Sequence, residues 1–481
     1  MASSPTSEKT HPALEGGLAA ALLLGFTALV CWPLLGSATG FGVDWRYHQF
    51  PMRKFLADQL ASGDMPLWWP AIRCGYPIHA YGEGGLLYPL NAPLWSAFGV
   101  LQGSDISNWL HLALAGLGAF LLARQLGLRR EGACVAALVA AAGGSALGLM
   151  GWPNASAAQA NALLALAATA ACVRRETAAP GSGRRVACLA ALLWGAALLA
   201  GRPQRVYLLL WFVPVLSAAL AWRAPKPQRR AALARSLAWS LGAVALGALV
   251  ASAQILPTAE LLAHSDRAAG LASSNAALGS LAPSADSARV LLLGATDLTL
   301  LADTHGEAAH FPGRITWLLL VGALVLIARR RGAVAPWIVA LSALACLAAV
   351  LALGDTTPLF SLARSWVPGF DSFRAPARAL AVAVLCASLL AGWALDRVAS
   401  TKSWGPTLRR AVVLGLALEL LAYGHARVTP APENAVVAER PELLAALSSP
   451  GRVIVAGAQP LSVGDLPADP RGAAALVARA E

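Results

Sequence analysis

The sequence predicts an all-α polytopic membrane protein with about 11 transmembrane helices, and three observations predict it. Apolar residues make up 57% of 481 and charged residues only 13%, too few to cover a soluble surface of that size. Several apolar runs approach ~20 residues, the length a helix needs to cross ~30 Å of hydrocarbon. Basic residues gather in every second loop between those runs, as membrane topology demands.

The expected spans are residues 16–36, 107–123, 133–150, 155–173, 186–200, 206–222, 236–256, 314–328, 333–353, 376–395 and 409–425. The third to sixth are rich in Ala and Gly, which suits close helix packing in lipid. The first run ends in the small residues "GSATG", as a cleaved leader would. Its length and the single Lys9 ahead of it read instead as a retained span.

The basic loops carry Arg124, Arg129 and Arg130; Arg174, Arg175, Arg184 and Arg185; Arg223, Lys226, Arg229, Arg230 and Arg235; Arg329 to Arg331; and Arg397, Lys402, Arg409 and Arg410. Placed in the cytoplasm, they put the amino terminus inside and the carboxyl terminus outside the cytoplasmic (inner) membrane. Residues 1–15 then form a cytoplasmic segment, 16–425 one membrane domain, and 426–481 an outer tail. The tail contains one expected strand, "RVIVAG", as in the start of a small α/β unit. The net charge of +12 is used up in orienting the chain, so no nucleic-acid partner is expected.

Three larger outer segments remain, at 37–106, 257–313 and 354–375. The first contains short amphipathic helices in "YHQFPMRKFLADQLASG". Trp32, Trp45, Trp68, Trp69, Trp95, Trp109 and Trp152 fall near the same boundary, as an aromatic belt would. Six of the seven cysteines lie in apolar runs and no metal spacing occurs; a Cys31–Cys74 bridge stays open. Spans almost free of charge, with Glu419 the main exception, and no internal repeat argue against a coupled transporter.

Asp44 stands just beyond the first span, where a carboxylate can take a proton from a hydroxyl. Arg46, His48, Arg53 and Lys54 follow and could pair with a lipid phosphate, with Gln49 as support. The bland alternatives are a helix cap for Asp44 and headgroup contact for the bases.

The stretch "VDWRYHQFPMRKFLADQLASGDMPLWWPAIRCGYPIHAYGEGGLLYPLN" resembles the first outer loop of YfhO-type bacterial membrane proteins, which are placed in the GT-C glycosyltransferase superfamily. The likeness continues in family order through "GRPQRVYLLL", "ASAQILPTAELLAHSDRAAG" and "LGDTTPLFSLARSWVPGFDSFRAPARAL", covering roughly residues 15 to 400. The resemblance implies a GT-C-like fold. It also implies transfer of a sugar from a polyprenyl-phosphate donor to an envelope glycan, lipid or protein acceptor outside the membrane. Asp44 matches the acid that serves this superfamily as catalytic base or in the acceptor site.

Glu83 in "YGEGG" is a second candidate acid, able to orient the acceptor or share the base role; its alternative is a turn between glycines. Arg202 and Arg205 in "GRPQR", with Arg374 and Arg378 in "FRAPAR", are candidates for the donor phosphate. Glu260, His264 and Asp266 are candidates for acceptor hydroxyls or an ion. No cofactor is assigned; a divalent metal stays open, because two or three such residues do not define a site. The chain stops sooner than family members that continue into a longer outer region. A noncatalytic scaffold or a transporter for envelope lipid or polysaccharide is the alternative class.

Overall fold

The computed structural model describes residues 12–35, 45–70, 72, 75–179, 181–265, 268, 270–271, 280–281, 284–294, 309–329, 335–398 and 405–428. Asp44, Asp266, Cys74 and the expected tail strand lie outside the described residues, as does the side chain of Arg46.

The expected spans fall mainly on helix where described, the 133–150 span breaking at Gly143 and ending in a turn, and among the described residues six helices are long and apolar enough to cross a membrane. They are Leu14–Leu35, Asn91–Leu126, Pro153–Ala178, Pro203–Ala221, Lys226–Val250 and Pro376–Arg397. We label the first twelve α-helices α1 Pro12–Leu35, α2 Phe50–Ala61, α3 Ile78–Tyr81, α4 Asn91–Leu126, α5 Arg130–Ala142, α6 Gly144–Leu147, α7 Pro153–Ala178, α8 Arg184–Leu199, α9 Pro203–Leu210, α10 Phe212–Ala221, α11 Arg229–Val250 and α12 Ser252–Ala263. Helices Arg314–Arg329, Pro336–Ala352, Pro358–Trp366, Leu380–Val398 and Gly405–Arg427 follow.

The helices that fall short do so for separate reasons. α5 has 13 residues, and at ~1.5 Å each it reaches only ~20 Å. Its expected continuation breaks at Gly143, whose backbone is extended. Gly144 N donates there to Phe311 O at 2.7 Å, a bond to a remote segment. Gly405–Arg427 has 23 residues, but Arg409, Arg410, Glu419 and Arg427 interrupt its apolar character.

α7 is the centre of the bundle, flanked by α4 and α8, with α5 and α11 next outward. Its most apolar window is 83% buried, whereas that of α11 is 22% buried. α11 exposes Leu241, Leu246 and Leu249, and α1 exposes Leu14, Leu18, Leu22 and Leu29. Apolar stripes of this kind suit lipid rather than water. The multi-pass helical membrane character read from composition therefore holds.

Small residues set the helix spacing inside. A Cβ on Gly392 would come 2.2 Å from Gly132 O, and one on Gly132 would come 2.6 Å from Gly392 O. α5 and Leu380–Val398 thus touch backbone to backbone, the packing that Ala- and Gly-rich membrane helices permit.

Two polar features of the spans find their setting in the fold. Glu419, the main charge within the expected spans, has a structural role. Its carboxylate accepts from Arg314 N at 2.8 Å and Ile315 N at 3.1 Å, capping the Arg314–Arg329 helix from a neighbouring helix. The interior is also more polar than the spans suggested, because α4 begins at Asn91 rather than near 107. Asp105 and His111 on α4 are buried, and His111 Nε2 lies 2.6 Å from Tyr88 OH, which accepts from Asn161 Nδ2 at 2.9 Å.

Basic loops and motif loops occupy opposite ends of the bundle. At one end Glu15 pairs with Arg124 and Arg130, Glu131 pairs with Arg409, and Arg223 donates to Leu126 O. At the other end α12 holds α3, and the turns before α9 and before Leu380–Val398 meet.

Candidate functional site

The first motif begins as a five-residue π-helical turn, Trp45–Gln49, and runs directly into α2. Pro51 at the start of α2 needs no amide partner there, which favours a helix start at this point. Farther along, Trp69 and Tyr76 exchange backbone bonds of 2.7 and 2.9 Å. They close a small loop, and Trp69 stacks on Phe55 at 5.2 Å between ring centroids.

α12 then fixes the segment that carries Glu83. Gln254 Nε2 donates to His79 O at 2.8 Å, and Thr258 Oγ1 donates to Ala80 O at 2.8 Å. α3 ends on Gly82 in the left-handed region, with φ of 75°. That turn delivers Glu83 against the turn before α9. The fit needs a second glycine: a Cβ on Gly201, whose φ is 89°, would come 2.1 Å from Gly82 O.

The resulting cluster joins residues from three sequence regions. Arg202 Nη1 donates to Glu83 Oε1 at 2.8 Å. His48 Nε2 lies 3.4 Å from Glu83 Oε2 and 3.2 Å from Tyr81 OH. Arg202 also lies over the Trp152 ring, with Cζ 5.5 Å from its centroid. His48 is 40% exposed, Glu83 24% and Arg202 15%, so the cluster opens to its surroundings on the His48 side. Burial alone would raise the Glu83 carboxyl, but the His48 hydrogen bond and the Arg202 charge outweigh it and hold it at about 2. Glu83 is a permanent carboxylate near neutrality.

A second group lies along the same helix start. Arg378 Nη1 donates to Gln204 Oε1 at 2.5 Å, and Gln204 Nε2 donates to Arg374 O at 2.6 Å. Gln204 therefore clamps "FRAPAR" onto "GRPQR". Between the two arginines, Ala375 has φ of 60°, the one non-glycine residue in the left-handed region among the described residues. Such strain persists only where surroundings enforce it. Tyr207, Phe360, Phe373 and Pro376 line a pocket beside Gln204 and Arg374. Arg374 is exposed and Arg205 is buried.

The remaining candidates separate from these groups. Glu260 lies at the start of the last turn of α12 and His264 follows the helix as its cap; both are exposed. Among the described residues, no group of three or more His, Cys, Asp or Glu could hold a metal ion. Lys54 is taken up by Asp58 at 2.5 Å on the exposed face of α2. Cys31 is buried and unbridged. The tryptophans divide: Trp32 and Trp68 are exposed as a belt requires, whereas Trp45 in the π turn and Trp95 in α4 are buried.

Sequence reasoning missed Tyr81 and Gln204. Gln204 lies between two arginines that drew attention by charge, and an amide carries no such signal. Compared with models of known protein families the chain finds no match, and comparison with curated proteins finds none either.

Proposed function

We propose that the chain is a membrane glycosyltransferase moving a sugar from a polyprenyl-phosphate donor to a cell-envelope acceptor. On this reading it is a YfhO-type, GT-C-like protein of 11 spans working on the outer face of the cytoplasmic membrane. The shorter helices are accommodated by local thinning of the bilayer and by packing against their neighbours. The observation that carries the reading is the convergence of His48, Glu83, Arg202, Gln204 and Arg378 at one end of the bundle. These residues come from three motifs far apart in the chain.

The chemistry is a single displacement. The acceptor hydroxyl oxygen bonds to the anomeric carbon, the carbon–oxygen bond to phosphate breaks, and Asp44 takes the hydroxyl proton. Arginine charge stabilises the departing phosphate, for which Arg374 is the exposed candidate. Glu83, held at about 2, is too weak a base to share proton transfer. It orients His48 and Arg202 instead. The aromatic pocket beside Arg374 offers flat apolar faces to a sugar ring or the first isoprene unit.

Reconstituted protein is to be incubated with a panel of polyprenyl-phosphate sugars and an envelope extract, and released polyprenyl phosphate measured. Wild type is expected to release it from one donor class, and Asp44→Asn to lose ~10²-fold or more. Folded wild type that releases nothing from any donor would favour the noncatalytic scaffold.

A further inference from the structure

We infer that Trp45, Gln49 and Arg53 form a buried oxyanion site that takes a phosphate group. The three stand at four-residue intervals along the π turn and α2, which places them on one helical face. Trp45 is 2% exposed, and Gln49 and Arg53 are 0% exposed. Four nitrogens on this face, Trp45 Nε1, Gln49 Nε2 and Arg53 Nη1 and Nη2, have no hydrogen-bond acceptor among the described residues. Gln49 turns its oxygen to Arg53 Nε at 3.4 Å, so its amide nitrogen remains for something else. Ser104 Oγ on α4 is likewise buried with no partner among the described residues.

Arg53 has no carboxylate partner among the described residues; its other neighbour is the Trp95 ring, 5.6 Å from Cζ. A ring face compensates a buried guanidinium only in part. An apolar side chain of similar volume would serve the fold better than an uncompensated buried charge. A stripe of donors with no acceptor is the complement of an anion with several oxygens. A carboxylate presents two oxygens in one plane, whereas phosphate presents three in different directions and matches the forked guanidinium.

The location strengthens the assignment. His48, adjacent to Gln49, reaches out to Glu83, and a Cβ on Gly84 would come 2.4 Å from Leu56 on α2. The same two turns thus present His48 to the exposed cluster and bury the donor stripe behind it. The inference draws on the proposed transferase only for the expectation that a phosphate-bearing ligand is at hand. The phosphate itself is either lipid-borne or free.

Thermal unfolding of the full chain in uncharged detergent tests this, with farnesyl phosphate, inorganic phosphate and farnesol as probes. Wild type is expected to gain stability with one or both phosphates and none with farnesol. A shift with inorganic phosphate names a soluble anion as the source. A shift confined to farnesyl phosphate names a lipid-borne one; either upholds the site. Arg53→Met is expected to need roughly ten-fold more phosphate or more for the same shift, having lost the charged donors. If Arg53→Met does not fold, Trp45→Phe and Gln49→Leu decide, each expected to weaken the response several-fold. No shift with either phosphate, or a wild-type response in the folded variants, would overturn the inference. A phosphate response in protein that transfers no sugar would keep this site and remove the transferase. Sugar transfer by wild type that shows no shift with either phosphate would keep the transferase and remove the site.

Discussion

Glu83 bonds Arg202 at 2.8 Å while His48 stands 3.4 Å away on its other oxygen, and these contacts overcome the cost of its partial burial. Its folded value of about 2 lies below the ordinary 4.5. A depressed carboxyl contributes stability that is fully present above 4.5 and is lost as pH falls toward 2. The loss amounts to at most about 3 kcal/mol. Thermal unfolding of wild type and Glu83→Gln is therefore expected to show a gap near pH 6 that narrows by about half or more on acidification to pH 3. A gap independent of pH would mean that the ion pair contributes nothing. Glu83 itself was legible as a candidate from its sequence, and so was its turn, since Gly82 and Gly85 both adopt positive φ. Its partnership with Arg202 was not. The two lie 119 residues apart, and no periodicity encodes a meeting created by two glycine turns.

At the scale of elements, close packing decides stability. Gly392→Ala would drive a Cβ to 2.2 Å from Gly132 O, so α5 and Leu380–Val398 must move apart. We expect this to cost about 1–3 kcal/mol, read as a lower unfolding midpoint. Gly322→Ala, where nothing lies within 4 Å, serves as the comparison and is expected to leave the midpoint unchanged or raised. Equal effects of the two would contradict the backbone contact. Glu419→Leu is expected to cost about 1–3 kcal/mol by leaving Arg314 N and Ile315 N without an acceptor. Helix positions were legible because apolar runs are long and loops are charged. Helix ends were less so. α4 starts some sixteen residues before its expected boundary and bends at Gly99, because an amphipathic lead-in does not score as apolar. The expected 133–150 span divides at Gly143, where Gly144 bonds to Phe311, a tertiary contact invisible in a local window.

Across the whole molecule, the basic loops gather at one end and the motif loops at the other. Charge alternation along the sequence foretold that division, because adjacent helices run in opposite directions. What it could not foretell is that three motif loops meet, since the contacts that join them pair residues far apart in the chain and several run through neutral groups such as Gln204, Gln254 and Thr258. The central claim is that this meeting builds a site for sugar transfer from a lipid phosphate. Its most direct test is polyprenyl-phosphate release across a double-mutant cycle of Glu83→Gln and Arg202→Gln. Each single change is expected to lower release ~10²-fold, and the pair no further than either alone, because the two side chains act as one unit. Release unaffected by all three variants, or losses that multiply in the pair, would contradict the account.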